Sequence, residues 1–195
     1  MVRPAENADH AGFDPPLRID WIDSDLLSDG LPGRLGLTFL PGKQGASTRY
    51  PGRTYRRDMD GDFASLARSG VTRLMLLVED HELARWSDSR IVERGALQGV
   101  GVRRHPMPDG QPPANVAEMQ QILDEVREGR IHGNVAVACM GGVGRTGTVA
   151  ACALVEAGMD AGAAIATVRS VRHPQAVETA AQEAFVRAFA ASSRG

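Results

Sequence analysis

At 195 residues the chain is long enough for one domain with decorations and too short for two independent cores. Its 22 basic and 24 acidic residues leave a formal charge of −2, which removes the strong basic imbalance of a protein that coats nucleic acid. No apolar run approaches the ~20 residues that span a bilayer, and 43% hydrophobic with 24% charged residues is the balance of a soluble globular chain, so no membrane partner is expected.

Residues 1–16 carry prolines and few large apolar side chains and read as a flexible tail or docked arm, with one domain expected over 17–195. They show no apolar segment behind a basic start, so no secretory signal is visible and a cytoplasmic protein is expected. Leu17-Arg-Ile-Asp-Trp-Ile and Arg34-Leu-Gly-Leu-Thr-Phe-Leu alternate closely enough to predict two strands at the edge of a sheet, around a turn at residues 28–33. Residues 41–58 lack periodicity and read as a long loop bearing Lys43, Arg49, Arg53, Arg56 and Arg57. Lys43 is the sole lysine, and the arginine bias of the whole chain makes a solvated loop as reasonable as one that attracts a phosphorylated partner.

A βαβ rhythm follows. Phe63, Leu66 and Ala67 fall at helical spacing and Gly70 stops the helix; the apolar run Thr72-Arg-Leu-Met-Leu-Leu-Val78 reads as a covered strand. One helical stretch is expected over 79–95, a weaker strand over 99–105, and irregular chain over the proline-rich 106–113. Asn115 and Glu118 form a capping-box pattern, after which Val116, Met119, Leu123 and Val126 line a helical face up to Gly129. Val135-Ala-Val-Ala-Cys139 is a short buried strand, followed by a glycine-rich turn and an alanine-rich helix to about Gly158. Asp160 caps another helix, and Val177, Ala181, Phe185 and Phe189 return at helical intervals after Pro174. The sum is an α/β architecture with a central, mostly parallel sheet flanked by helices.

Strand, glycine loop and helix make an anion-binding layout. Cys139 and Arg145 stand at the two rims of one tight loop, and Gly141, Gly142 and Gly144 free the amides from Met140 through Val143 to Arg145 to point inward. The helix dipole favours both a bound dianion and a thiolate, so Cys139 is expected to be unusually acidic. Arg145 can hold two phosphate oxygens in its planar fork, and Thr146 puts a hydroxyl within reach of the sulfur. A proton for a leaving group is still needed, and Asp109, in the turn Pro108-Asp-Gly before Cys139, stands at the end of a strand that can neighbour the cysteine strand.

Three other readings compete for these residues. Gly142-Val-Gly-Arg-Thr-Gly147 also fits a dinucleotide fingerprint, but a further strand with an acidic residue should follow, and the region around Asp160 reads as helix. A structural glycine turn and a rhodanese-like sulfur transferase are the others; Asp109 and the Gly-Arg-Thr ending favour phosphate. Pro-Asp-Gly alone is a common turn. Cys152 lies mid-helix, about 10 Å beyond Arg145 along the axis, and is expected to pack in the core rather than pair with Cys139. His81, His105, His132 and His173 share no ligand spacing and read as surface or packing residues.

Cys139-Met-Gly-Gly-Val-Gly-Arg-Thr resembles the signature loop of the cysteine-dependent protein tyrosine phosphatases, and the upstream Pro-Asp-Gly resembles the general-acid loop of their small dual-specificity branch. Leu31-Pro-Gly-Arg-Leu-Gly-Leu-Thr-Phe-Leu-Pro-Gly, Arg57-Asp58 and Ala176-Val-Glu-Thr are similar to the kinase-associated phosphatase subgroup, so the resemblance spans residues 17 to 190. It implies a dual-specificity-phosphatase-like fold and hydrolysis of phosphomonoesters, phosphotyrosine with phosphoserine or phosphothreonine, through a phosphocysteine. By position, Cys139 attacks phosphorus, Arg145 and the amides from Met140 to Gly144 hold its oxygens, Asp109 is acid then base, and Thr146 helps the thiolate leave. No metal or cofactor is implied. The implied partners are a phosphorylated protein, and phosphate, vanadate or sulfate in the loop. The family usually has histidine before the cysteine; Ala138 stands there, which implies a smaller depression of the Cys139 pKa. The competing function is a phosphate-binding pseudophosphatase module without useful turnover.

Overall fold

The structure, a computed structural model, describes residues 13–47 and 50–192. In chain order the elements are β1 (Asp20–Trp21), a single 3-10 turn (Ser24–Leu27), β2 (Leu35–Phe39), β3 (Gln44–Ala46), β4 (Thr54–Arg56), α1 (Met59–Arg68) and β5 (Val71–Leu76). They continue with α2 (Asp80–Trp86), α3 (Ile91–Leu97), β6 (Gly101–Arg104), α4 (Val116–His132), β7 (Asn134–Cys139), α5 (Gly144–Glu156), α6 (Ala161–Val171) and α7 (Ala180–Ser192). The main sheet has the order β1-β2-β7-β5-β6, with β1 antiparallel and the other four strands parallel. This is the expected α/β architecture: α1 and α3 pack on each other and on β5 and β6, while α4 and α5 pack on β7, with α6 and α7 beyond α5.

Because β2, β7, β5 and β6 run the same way, their carboxyl ends at Phe39, Cys139, Leu76 and Arg104 share one edge of the sheet. Loops leaving that edge therefore converge, which is where open parallel sheets bind ligands. The sequence explains the strands in the middle. Val135, Ala136, Val137 and Ala138, and Leu74, Met75 and Leu76, are all buried, so these strands read as apolar runs rather than alternations.

The structure departs from the sequence expectations at several places. The first predicted strand, 17–22, contributes only Asp20–Trp21 to the ladder. Residues 41–58 are not a loop but largely the hairpin β3–β4, which the sequence hid because its three-residue strands are mostly exposed and too short to show a period. Its base is fixed by a buried ion pair, Arg57 with Asp62, whose carboxylate also accepts from the Gly42 amide. Arg57 further donates to the Pro15 carbonyl, and Asp14 bonds the β4 backbone at Arg56, so residues 14–15 lie along the hairpin. Arg49 lies outside the described residues.

The expected helix over 79–95 is two, α2 and α3, broken at residues 87–90. Gly129 does not stop α4, which runs to His132; a Cβ there would stand 2.7 Å from a Val135 methyl, so that glycine serves close packing on β7. Val177 is not helical. It is buried in a left-handed conformation at φ 56°, and α7 starts only after Thr179, whose hydroxyl accepts from the Gln182 amide. Finally, β6 does not neighbour β7: β5 lies between them, and the chain after β6 reaches across it through the amides of His105 and Met107, which donate to the Leu76 and Leu77 carbonyls.

Candidate active site

The turn from Cys139 to α5 folds as a cradle because one residue in it has no alternative. Gly142 has φ 65°, and a Cβ there would lie 2.2 Å from the Thr38 carbonyl oxygen, so any side chain would push the loop off the end of β2. Gly141 has nothing closer than 3.9 Å, and Gly144 meets only the ends of Glu178 and Gln182, so the three glycines do not carry equal weight. Arg172, at the end of α6, donates to the carbonyls of Gly142 at 2.9 Å and Gly141 at 3.3 Å while pairing with Asp20. With these carbonyls tied to Arg172, the amides of Val143 and Thr146 face the Cys139 sulfur.

Cys139 lies at the bottom of this cradle, 3% exposed. Burial pushes its thiol up, but the Arg145 charge, the Thr146 hydroxyl and the amides of Thr146 and Val143 outweigh burial, so the thiol is held below its ordinary value. Thr146 Oγ1 is buried with no other hydrogen-bond partner among the described residues, which leaves its hydroxyl to the sulfur.

Arg145 is 1% exposed. Its guanidinium is gripped by Glu82 of α2 at 2.6 and 2.7 Å, donates to the Met107 carbonyl at 2.9 Å, and reaches Asp109 Oδ1 at 2.9 Å. Burial disfavours the charge on Arg145 and the Glu82 hydrogen bonds more than restore it. Burial likewise raises Glu82, but the bonds from Arg145 and the Glu79 amide win and hold that carboxyl low. Asp109 itself is exposed, on a turn closed by the Gln111 amide to the Pro108 carbonyl.

The segment before α7 braces both halves of the site. The Val177 amide donates to the Val143 carbonyl, and the Thr179 hydroxyl donates to the Gly110 carbonyl beside Asp109 at 2.8 Å. Gln182, fully buried, accepts from the Glu178 and Thr179 amides. From the other side Lys43 comes in off the end of β2, its Nζ 3.2 Å from the Met140 carbonyl and 4.0 Å over the Tyr55 ring.

Cys139, Met140, Gly141, Val143, Gly144, Arg145 and Asp109 thus line one cleft of about 560 Å³. Arg53 and the half-buried His173 line it too, while Arg57 is committed to its buried pair. Sequence reasoning missed Glu82, Gln182, Thr179 and Arg172. Three of them carried a signal: Glu79-x-x-Glu82 and Thr179-x-x-Gln182 are capping boxes, which mark helix starts but say nothing of what the same side chain meets across the fold.

The chain matches the family model for the DSP-PTPase phosphatase of polymorphic toxin systems over residues 49–159. Cyclin-dependent kinase inhibitor 3 of Rattus norvegicus is 25% identical over 177 residues, covering 89% of this chain and 79% of that protein. Among solved structures, kinase associated phosphatase with its catalytic cysteine replaced by serine superposes with a TM-score of 0.77 at 23% identity, over 93% of this chain and 98% of that one. Tk-PTP in its active form gives 0.65 at 28% identity, over 82% and 92%.

Proposed function

The chain belongs to the DSP-PTPase phosphatase family, and from that premise we propose that it hydrolyses phosphomonoesters of proteins, phosphotyrosine foremost, through a phosphocysteine. The observation that carries this reading is the meeting of a buried Cys139, faced by the Val143 and Thr146 amides, with the Arg145 fork and Asp109 in one cleft.

A phosphate entering the cradle takes the place of the Asp109 carboxylate on Arg145, and its oxygens are held by the guanidinium and the loop amides. The Cys139 thiolate attacks phosphorus, the ester P–O bond breaks, and Asp109, released from Arg145 and having taken a proton from solvent, gives that proton to the departing oxygen. A water then attacks the phosphocysteine as Asp109 takes back a proton; the S–P bond breaks toward a thiolate that the Thr146 hydroxyl stabilises, and inorganic phosphate leaves. Glu82 holds Arg145 by both nitrogens throughout, so the fork keeps its orientation without a substrate.

Hydrolysis of p-nitrophenyl phosphate in a chelator, by the wild type and Cys139→Ser, tests it with vanadate as competitor. Activity is expected to vanish with the sulfur. Asp109→Ala should lose about 10²- to 10⁴-fold on alkyl or phenyl leaving groups and much less on nitrophenol, which needs no proton. An inert wild type that still binds vanadate would make the chain a phosphate-binding module; equal losses on both leaving groups would remove the acid role from Asp109.

A further inference from the structure

Arg145 is the cation that the loop sequence advertises, yet its charge is already answered. Two carboxylates sit on that one guanidinium, Glu82 through both oxygens and Asp109 through Oδ1. Counting the Cys139 thiolate, those four groups sum to minus two before any phosphate arrives. A dianion entering such a site needs another positive charge close to the sulfur.

Lys43 is that charge. The residue is 93% removed from solvent, an unusual cost for an ammonium, and among the described residues it has no salt bridge. Nζ donates instead to the carbonyl of Met140, the first residue after the cysteine, and rests on the Tyr55 ring, with Arg53 4.9 Å from the centre of the same ring. The hairpin that delivers Lys43 is held at its base by the buried Arg57–Asp62 pair.

We propose that Lys43 is a positioning residue of the site: it fixes the start of the loop through the Met140 carbonyl and supplies a positive charge, beyond that of Arg145, that holds the Cys139 thiolate and the incoming oxyanion. This rests on the phosphatase reading for its substrate and on geometry for the lysine itself. The groups facing it are Cys139 on the loop after β7, Asp109 on the loop after β6, and Arg53 with Tyr55 on the hairpin; Asp20, Arg172, His173 and Glu178 line the rest of the cleft. Burial draws the ammonium down to about 8, the Cys139 thiolate pulls it up, Arg53 pushes it down and Asp109 pulls it up. The sign follows: a lysine with a lowered value is charged below pH 8 and neutral above, so anion affinity declines through that pH. Arginine at this position stays charged throughout.

The test reads Cys139 directly, by the rate of iodoacetamide modification against pH, and anion binding by tungstate, which is a dianion across the neutral and alkaline range. Lys43→Met is expected to raise the thiol midpoint by about one unit and weaken tungstate about tenfold; Lys43→Arg should keep both near wild type. Wild-type tungstate affinity should fall above pH 8 and that of Lys43→Arg should not. If the methionine variant does not fold, the comparison of wild type with Lys43→Arg across pH 8 decides alone. An unchanged midpoint in Lys43→Met, or parallel pH profiles for wild type and Lys43→Arg, overturns the proposal. An inert wild type whose thiol midpoint still depends on Lys43 sinks the hydrolase reading and leaves this one standing.

Discussion

Cys139 and Cys152 lie thirteen residues apart in one strand-to-helix unit, and both are buried and free. Burial should raise each thiol, because a low-dielectric surrounding disfavours the thiolate. Cys152, inside α5, shows that effect: burial, with the Glu156 charge added, pushes its thiol far up. Cys139 goes the other way, because Arg145, the Thr146 hydroxyl and two amides face its sulfur. The difference is where the helix begins. A cysteine just before the first turn meets unpaired N–H groups and a positive dipole end, whereas one two turns in has no free N–H groups of the helix to meet.

The widest separation this comparison yields is chemical. Iodoacetamide at pH 7 should modify Cys139 at least about a hundredfold faster than Cys152, so peptide mapping of the labelled wild type should find one carbamidomethyl group per chain. Comparable labelling of both would break the comparison, since burial would then not be what silences Cys152. The next effect is thermal. Glu82→Gln leaves Arg145 buried against a neutral amide, a loss of about 3–5 kcal/mol for one partner of a buried pair, or a Tm drop of about 10 °C in a chain of this size. Saturating phosphate should recover more of that drop than it adds to wild type, because the anion replaces the missing charge. The pair holds Glu82 below its ordinary 4.5, so the unfolded chain takes up the proton first as pH falls. The wild-type advantage is then complete above pH 4.5 and shrinks below it. A Tm within about 2 °C of wild type at pH 7 would show that Glu82 does not hold the fork.

What was readable from the chain divides along the same line. The cradle is local: strand, Gly142 and helix start are consecutive, so Cys139, Arg145 and Thr146 could be placed on one loop from spacing alone. So could Asp109, because turn chemistry marks its position even though the strand order did not follow, with β5 between β6 and β7. The groups that tune the loop arrive from 97 positions before Met140 in the case of Lys43, and 63 before Arg145 in the case of Glu82. A glutamate at N3 of a seven-residue helix and a lysine at the foot of a short, exposed hairpin leave no trace of that destination in local patterning. Val177 shows the same limit on the backbone. It follows the helical interval of Ala181 and Phe185, yet tertiary packing sets its amide on the Val143 carbonyl in a conformation a β-branched residue rarely takes.

Ala138 tests the smallest of these effects. The family resemblance implies that a histidine at this position would lower the Cys139 thiol further than alanine does. In the fold Ala138 is fully buried in the middle of the sheet, paired with Thr38 on β2 and Leu76 on β5, and its carbonyl accepts from the Leu77 amide. The backbone before the cysteine is thus fixed by the ladder on both sides, and the first carbonyl after it is fixed by Lys43. An imidazole here has little left to orient and must displace packed neighbours, at about 1–3 kcal/mol. Ala138→His should therefore move the alkylation midpoint of Cys139 down by only a few tenths of a unit, while lowering Tm by several degrees. A fall of a full unit would mean that the loop lacks an orienting donor which Lys43 does not supply, and an unchanged or higher midpoint would show that the acidity of Cys139 is already set by Arg145, Thr146 and the loop amides.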